Sequence, residues 1–485
     1  MKLNIRILLY ILGLLLCFES LFLLISFGVS LLYQENDRIP LLVSTIITAC
    51  IGFLLAICSR KHEREMGKRE VFLLVSFSWI VFSLFGMLPF LLGGYLTSVA
   101  DAFFETMSGF TTTGATVIDH IDDLPHGILF WRSITQWLGG MGIIVLTLAI
   151  LPMLNSGEGT QLFNAEAPGV RHDKITPRIS QTAKRLWFLY LSMTLVSSIV
   201  LYLGPMNLFD SICHAFTAMA TGGYSTKQTS IAYWNSPYTE YVITLIMFIA
   251  GINFSLLYMA ITGNYKKLFK DQEVKWYACT VLIFTLIVCI GLLYTGQYPH
   301  VEEAFRVSIF QVVSLLTTTG FATADFIVWG PFFCFLMFLI MIPGACAGST
   351  SGGIKQVRII IAIKHLAVEF YKQLHPRAVV PVRINKYTLP PELVTKVLSF
   401  ILIYVLVALG CATILSLEGF NFEESISVAV TCLSNVGPGL GSAGPSGTFA
   451  YLSDISKWTL SFAMLVGRLE LFTVLILFTP YFWKK

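Results

Sequence analysis

Ten apolar stretches, each long enough to cross a bilayer, constrain this 485-residue chain more than any other feature. They occupy residues 7–32, 40–59, 71–95, 128–153, 185–204, 237–262, 277–295, 331–363, 393–416 and 456–482. A helix needs about 20 apolar residues to span a membrane. Since lipid offers no partner to an exposed backbone polar group, we predict an all-α polytopic membrane protein.

The charge content supports this class and excludes others. Only 12% of the residues are Asp, Glu, Lys or Arg, about half the share of a typical soluble domain. This excludes a soluble enzyme, a disordered chain and a nucleic-acid-binding protein. The sequence contains no phosphate-binding loop, zinc-protease motif or dinucleotide fingerprint, and its ten cysteines form no CxxC pair. We therefore expect neither an enzyme nor a bound cofactor.

The few charges predict the orientation. If the N-terminus is cytoplasmic, 26 of the 32 Lys and Arg residues lie on that side. The six exceptions are Arg38, Arg132, Lys227, Arg306, Lys457 and Arg468. Basic residues are enriched in cytoplasmic loops, so we predict that both termini are cytoplasmic. Acidic residues collect in the outer segments, where they would attract cations.

Four outer loops contain related strings. These are DAFFETMSGFTTTGAT at 101–116, DSICHAFTAMATGGYS at 210–225, VSIFQVVSLLTTTGFA at 307–322 and ESISVAVTCLSNVGPG at 424–439. They align without gaps on Gly114, Gly223, Gly320 and Gly437, and the hydroxyl residue six positions earlier is Ser108, Thr217, Ser314 or Thr431. Thirteen positions before the glycine, three strings begin with Asp101, Asp210 or Glu424, suited to a helix start, and the third has Val307.

The repeat predicts four pseudo-symmetric helix–pore loop–helix units around a central pore. Each unit is a span, a short helix, a polar loop and a second span. Two extra N-terminal transmembrane helices precede them, and we place the segments at 1–65 for that pair, then 66–160, 161–268, 269–380 and 381–485 for the four units. The third unit contains a helix that the sequence predicts to be broken.

Such loops can select an ion. A short helix that stops at mid-depth leaves its last carbonyls without partners, and irregular backbone at that depth is tolerated only where it is buried or lines a water-filled path. Four loops around one axis would form rings of carbonyl oxygens that replace the hydration shell of a monovalent cation. A single TTTG segment is usually an ordinary turn, but four aligned copies, each between two spans, favour a pore.

The arrangement resembles the Trk/Ktr potassium-uptake superfamily, and most closely its bacterial Trk-type membrane subunit, over essentially the whole chain. The segments TTTGAT, ATGGYST, TTTGFAT and SNVGPGL are similar to filter loops that keep one glycine per repeat. The resemblance implies a K⁺ selectivity filter formed by Thr111, Thr112, Thr113, Gly114, Ala220, Thr221, Gly222, Gly223, Thr317, Thr318, Thr319, Gly320, Asn435, Val436 and Gly437. It assigns the K⁺-binding carbonyls to Thr111, Thr112, Ala220, Thr221, Thr318, Thr319, Asn435 and Val436.

The same resemblance implies a cellular role and partners. We expect channel-like potassium uptake across the bacterial inner membrane, a homodimer in the lipid bilayer, and a cytosolic nucleotide-binding regulatory subunit of the TrkA type. The loops 154–182 and 364–391 are candidate docking surfaces for such a subunit, although solvated charge alone also accounts for them.

A run of small residues, PGACAGSTSGGIK at 343–355, should break the helix of the span 331–363. Close helix packing through small residues is the alternative. The resemblance implies an intramembrane loop that obstructs the pore. The gate residues would be Gly344, Gly348, Ser349, Thr350, Ser351, Gly352 and Gly353.

Arg468 is a charge inside the last predicted span, with Glu470 two residues on. Charges at this depth usually face the bundle interior or a cavity. A structural ion pair or a contact near the membrane surface is one interpretation. The other, which the family pattern favours, is an electrostatic barrier in the pore.

Two other functions remain open from the sequence. A proton- or sodium-coupled K⁺ symporter would use inverted repeats and broken helices at the midplane, whereas four parallel repeats favour a pore. A membrane-bound enzyme or receptor would need converging acid, base or metal-ligating residues, which the sequence lacks.

Overall fold

The computed structural model describes residues 3–60, 66–150 and 179–484. The described chain is mostly helical, as the all-α prediction requires. Six helices are long and apolar enough to cross a membrane, and two bent helix pairs raise this number to eight. Most of the predicted docking loop 154–182, and the predicted boundary at 160, lie outside the described residues.

Two antiparallel helices, Ile5–Tyr33 and Arg38–Cys58, precede the repeats. They approach closely because glycines meet between them: a Cβ added to Gly13 would lie 2.6 Å from the carbonyl oxygen of Gly52. Small residues allow this kind of packing in membranes. The pair matches the two extra helices expected from the sequence.

Four units with the same element order follow. Their first helices are Lys68–Gly86 with its continuation Leu88–Leu92, Ile179–Tyr202, Gln272–Thr295 and Pro391–Leu417. Their pore helices are Val99–Phe110, Leu208–Met219, Val301–Leu316 and Phe422–Ser434. After each polar loop comes a 3₁₀ turn: Ile121–Asp123, Ser230–Trp234, Phe326–Trp329 or Gly441–Ala443. The last helices are His126–Ile150, Pro237–Ala250, Pro331–Met341 and Asp454–Arg468.

Acidic residues begin every pore helix. Asp101, Asp210 and Glu424 lie in first turns, as predicted. The third pore helix starts earlier than its sequence string, so that Glu302 and Glu303 occupy its first turn. A carboxylate there is stabilised by the N-terminal end of the helix dipole, which explains why Val307 interrupts the pattern without loss of the acid.

Two spans predicted as continuous helices are broken. Pro237–Ala250 and Phe254–Lys270 meet at 100°, and Asp454–Arg468 and Phe472–Phe478 at 112°. At the first break Asn253 caps the new helix, because its side chain accepts hydrogen bonds from the amides of Ser255 and Leu256 at 2.8 and 3.3 Å. At the second break Leu471 has φ 52° and ψ −62°, a tight turn that no glycine or proline announces.

The third break is the predicted one. Helix Pro331–Met341 ends ahead of the small-residue run, and helix Gln356–Leu374 begins after it. A two-stranded antiparallel hairpin, Arg383–Ile384 with Tyr387–Thr388, follows and pairs Ile384 with Tyr387. Ile384 is buried in a small apolar cluster with Val357 and Val394. The hairpin therefore fixes the candidate docking segment 364–391 against the base of the fourth unit.

The remaining short elements complete the chain. They are the helices Phe254–Met259 and Tyr265–Lys270, the π-helix Ala260–Asn264, and the C-terminal turns Phe472–Leu475, Ile476–Phe478 and Pro480–Trp483. The proposed segment boundaries at 268 and 380 stay predictions, and the boundary at 65 lies, like the one at 160, outside the described residues.

Candidate functional site

All four pore helices end in the same hydrogen-bonded turn. The residue before each repeat glycine donates its amide to the carbonyl of the Ser or Thr that lies six positions before that glycine. These hydrogen bonds are Thr113 to Ser108 at 2.9 Å, Gly222 to Thr217 at 2.8 Å, Thr319 to Ser314 at 2.9 Å and Val436 to Thr431 at 3.0 Å. The amide one residue earlier donates to a carbonyl only three residues back in the helix, as from Thr112 to Gly109 at 3.0 Å. This is the Schellman termination of a helix.

The turn requires a left-handed residue in each loop. φ is 54° at Thr112, 50° at Thr221, 58° at Thr318 and 57° at Asn435. Asparagine tolerates this conformation, whereas for β-branched threonine it is strained. The four repeat glycines are also left-handed, with φ between 81° and 99°, and the residue between the two left-handed positions of each loop has negative φ. Since the amides bond back to the helix and the handedness alternates, successive loop carbonyls are free to face away from it.

The four loops close into a ring. A Cβ added to Gly114 would lie 2.2 Å from the carbonyl oxygen of Gly222. The same distance, from an added Cβ to the carbonyl oxygen of the next loop, is 1.9 Å from Gly223 to Thr319, 2.1 Å from Gly320 to Val436 and 2.9 Å from Gly437 to Thr113. Each glycine thus touches the carbonyl of the residue before the glycine in the next loop, and the fourth loop returns to the first. Only residues without a side chain allow this approach.

A cavity opens on one side of the ring, and the four repeat glycines line it. Among the described residues, the lining includes Arg132 and Lys227 but no acidic residue. The acidic residues that the sequence places in the outer segments therefore do not lie at the ring itself. The first-turn acids lie instead at the far ends of the pore helices, where the dipole and local partners hold them; Asp101, for example, pairs with Lys457 at 2.5 Å.

Hydroxyl and amide side chains support the loops from behind. Thr111 and Thr113 bond each other through their Oγ1 atoms at 2.8 Å, and Thr317 and Thr319 do the same at 2.8 Å. Asn435 Nδ2 donates to Thr113 Oγ1 at 2.9 Å and so joins the fourth loop to the first. The different side chain of the fourth loop thus has a definite role in this structure.

A buried ion pair, which the sequence did not single out, braces the first two loops. Arg132 Nε lies 2.9 Å from Glu105 Oε1, with exposed fractions of 2% and 1%. Glu105 also accepts from the amide of Val117 at 2.9 Å, and Arg132 donates to the carbonyl of Ser225 at 3.2 Å. The guanidinium lies over the Tyr224 ring at 4.2 Å. The pair therefore links segments that directly follow Gly114 and Gly223.

The small-residue run lies against the opposite end of the ring from the cavity. Gly352 donates its amide to Thr318 Oγ1 at 2.7 Å, and Thr350 Oγ1 donates to the carbonyl of Met219 at 3.1 Å. A Cβ on Gly352 would lie 2.1 Å from the carbonyl oxygen of Ser434. This non-helical run, which we call the inner loop (residues 343–355), thus contacts the second, third and fourth ring segments. Helix packing through small residues does not describe it.

Asn253 and Glu273 hold the inner loop in place. Asn253 Nδ2 donates to the carbonyl of Ala347 at 2.7 Å, and Glu273 Oε1 accepts from the amides of Ala347 and Val357 at 2.6 and 3.1 Å. Asn253 is the N-cap of one neighbouring helix, and Glu273 lies in the first turn of another. Neither was a sequence-based candidate, although a polar residue inside the span 237–262 and an acid just before the span 277–295 are signals that could have found them.

Arg468 lies beneath the ring and contacts the inner loop. Its guanidinium donates to the carbonyl oxygens of Thr350 at 2.7 Å and Gly139 at 3.0 Å. It is 3% exposed. Among the described residues no carboxylate pairs with it, since Glu470 contacts Arg358 instead. The charge is therefore held by backbone carbonyls at the junction of inner loop and ring, and the ion-pair interpretation does not apply.

The structure brings the predicted filter residues together in the ring and places Thr350, Gly352 and Arg468 against it, whereas Gly344 and Gly348 contact the inner loop itself and Asn253. The ring joins equivalent positions, whereas the sequence-based K⁺ assignment takes the second and third residues before glycine in loops one and two, and the first and second in loops three and four. The equivalent level nearest the glycines is Thr113, Gly222, Thr319 and Val436. The assignment of ion-binding carbonyls stays a prediction.

Comparison with known proteins agrees with this geometry. Residues 41–485 match the TrkH family, described as cation transport protein. The Trk system potassium uptake protein TrkH of Vibrio parahaemolyticus serotype O3:K6 is 39% identical over 99% of both chains, and that of Escherichia coli K12 is 37% identical over 98% of both. The crystal structure of the potassium transporter TrkH from Vibrio parahaemolyticus matches with a TM-score of 0.90 at 37% identity and covers 100% of both chains. These relatives are transporters, which confirms that the chain is not an enzyme: it belongs to the TrkH family of cation transport proteins.

Proposed function

We propose that the ring of four loops is the selectivity filter through which this chain takes up K⁺. The observation that carries the proposal is the closed cycle of glycine-to-carbonyl contacts from Gly114 through Gly223, Gly320 and Gly437. Backbone carbonyl rings suit a dehydrated monovalent cation, whereas rings of acidic side chains suit other cation pores. The relatives named as potassium uptake proteins support K⁺ as the transported ion.

The inner loop and Arg468 form the gate in this proposal. The loop contacts three of the four ring segments, and the buried guanidinium adds a positive charge beside them. A cation leaving the ring meets both a steric and an electrostatic obstacle. Opening requires the loop to leave its contacts with Thr318 and Met219.

The charge distribution of the sequence supports the orientation of the chain in this proposal. The proposal places the chain in the bacterial inner membrane with the inner loop toward the cytoplasm and both termini inside. A homodimer and a cytosolic nucleotide-binding regulatory subunit of the TrkA type complete it. The docking surface would include helix Gln356–Leu374 and the hairpin that follows, because the same helix begins directly at the inner loop.

Ion flux into liposomes tests the function. Purified protein is reconstituted, and uptake of ⁸⁶Rb⁺ as a K⁺ tracer is compared with uptake of ²²Na⁺, with and without an imposed pH gradient. We expect Rb⁺ uptake to exceed Na⁺ uptake and to follow the membrane potential alone. Equal uptake of the two ions contradicts a K⁺ filter, and uptake that requires a proton or Na⁺ gradient establishes the coupled symporter instead.

A further inference from the structure

The second ring segment lacks the threonine pair that supports loops one and three. These two loops carry threonine at the first and third positions before the repeat glycine, and the two threonines bond each other. The second loop has Ala220 and Gly222 at the same positions. It therefore cannot form the hydroxyl pair.

Gln136, from the last helix of the first unit, occupies the vacant space. A Cβ added to Gly222 would lie 2.4 Å from Gln136 Cδ, and the three nearest atoms all belong to Gln136. The glutamine is fully buried. It stands where the Thr113 and Thr319 side chains stand in their own loops.

The amide of Gln136 makes two hydrogen bonds that fix this loop on both sides of Gly223. Nε2 donates to the carbonyl oxygen of Gly222 at 2.7 Å, and Oε1 accepts from the amide of Tyr224 at 3.0 Å. A primary amide can donate to a carbonyl and accept from an amide at the same time. A threonine side chain is too short to reach both of these partners from the position of Gln136.

The bonded carbonyl belongs to the ring itself. The Gly222 oxygen is the one that faces Gly114 in the closed cycle. In the described chain, no side chain donates a hydrogen bond to the equivalent oxygens of Thr113, Thr319 or Val436. In the described chain, one ring carbonyl thus accepts a hydrogen bond from a side chain, and the three equivalent carbonyls do not.

We propose that Gln136 is a positioning residue for ion selectivity: it sets the direction of the Gly222 carbonyl and so the geometry of the ring. This inference rests on the proposed function of the ring as a filter. Selectivity by carbonyl rings depends on the number and placement of the oxygens. A buried donor that holds one oxygen therefore affects discrimination between K⁺ and Na⁺ more than it affects assembly of the fold.

Replacement of the glutamine tests the proposal on the full-length protein in liposomes. Gln136→Met keeps the length of the side chain and removes both hydrogen bonds, and Gln136→Leu removes them with a branched apolar side chain. We expect the ratio of ⁸⁶Rb⁺ to ²²Na⁺ uptake to fall about fivefold or more in each, the factor that corresponds to one lost hydrogen bond. Gln311→Met is the matched control, because Gln311 is equally buried but donates to Ala324, beyond the ring, at 2.9 Å.

The outcomes separate this inference from the proposed function. A wild-type ratio near one contradicts the filter itself. A discriminating wild type together with an unchanged ratio in either folded Gln136 variant overturns the role of Gln136. An equal fall in Gln311→Met also overturns it, because general packing would then explain the effect. If Gln136→Met fails to give a monodisperse protein, Gln136→Leu decides the question.

Discussion

Three threonines, Thr112, Thr221 and Thr318, hold a left-handed backbone that β-branched residues rarely adopt. Each residue in such a conformation costs about 1–3 kcal/mol and persists only where its surroundings determine it. Here the surroundings are the Schellman turn on one side and the neighbouring loop on the other. Strain at the same position in three loops is consistent with a ring whose carbonyl directions matter more than its stability.

Glu105→Gln tests the brace behind the ring. Removing the carboxylate leaves Arg132 buried without its counter-charge, and the loss of one partner of a buried pair costs about 3–5 kcal/mol. We expect a clearly lower melting temperature of the detergent-solubilised protein. Glu369→Gln is the control, because the Glu369–Lys372 pair is exposed at the surface, where ion pairs contribute little. Equal melting temperatures for the two variants would show that the buried pair does not stabilise the fold.

Arg468→Ala tests the gate charge. The substitution removes both the positive charge and the two hydrogen bonds to Thr350 and Gly139, so we expect higher Rb⁺ flux in liposomes. Arg468→Lys keeps the charge on a shorter side chain without the planar fork. High flux in Ala with low flux in Lys assigns the barrier to charge, and high flux in both assigns it to the lost anchor. Wild-type flux in the alanine variant contradicts a barrier role.

At the scale of elements, what the sequence reveals depends on how local the cause is. The four pore helices and the inner loop were predictable because glycine, threonine and small residues act through local conformation. The bends after Ala250 and Arg468 were not, since the first depends on the fit of Gly251 against Tyr277 and Thr317 and the second on a strained turn at Leu471. The supporting roles of Gln136 and Glu105 depend on long-range packing, which a single sequence does not encode visibly.

Asn253→Ala tests whether the inner loop is held by its neighbours. Asn253 both caps the helix after the first bend and donates to Ala347 in the inner loop. We expect a loosened loop, seen as Rb⁺ flux severalfold above wild type with an unchanged ratio of Rb⁺ to Na⁺ uptake, because the ring is not touched. Asn421→Ala is the control: Asn421 precedes the fourth pore helix and its side chain makes no capping bond. Unchanged flux in Asn253→Ala would show that the loop does not depend on this anchor.

At the scale of the whole molecule, acidic, neutral and basic segments occupy different parts of the repeated units. Acids mark the starts of the pore helices and neutral backbone forms the ring. The inner loop is followed by the basic segment from Lys355 to Lys396. The acidic starts of the pore helices and the basic segment therefore carry opposite charge. This separation of charge is the basis of the proposed orientation, in which the basic segment is cytoplasmic.

The proposed orientation can be tested by cysteine accessibility in spheroplasts. Ser446→Cys lies in the exposed loop after the fourth ring segment, and Gln373→Cys lies at the exposed end of the helix that begins at the inner loop. Because basic residues are retained on the cytoplasmic side, a membrane-impermeant maleimide should label Ser446→Cys in intact spheroplasts and Gln373→Cys only after permeabilisation. The unmodified chain is the control for background labelling, since of its exposed cysteines Cys50 and Cys279 lie within apolar helices and Cys58 ends one. The reverse labelling pattern would place the inner loop on the outer face and would contradict a gate at the cytoplasmic end of the filter.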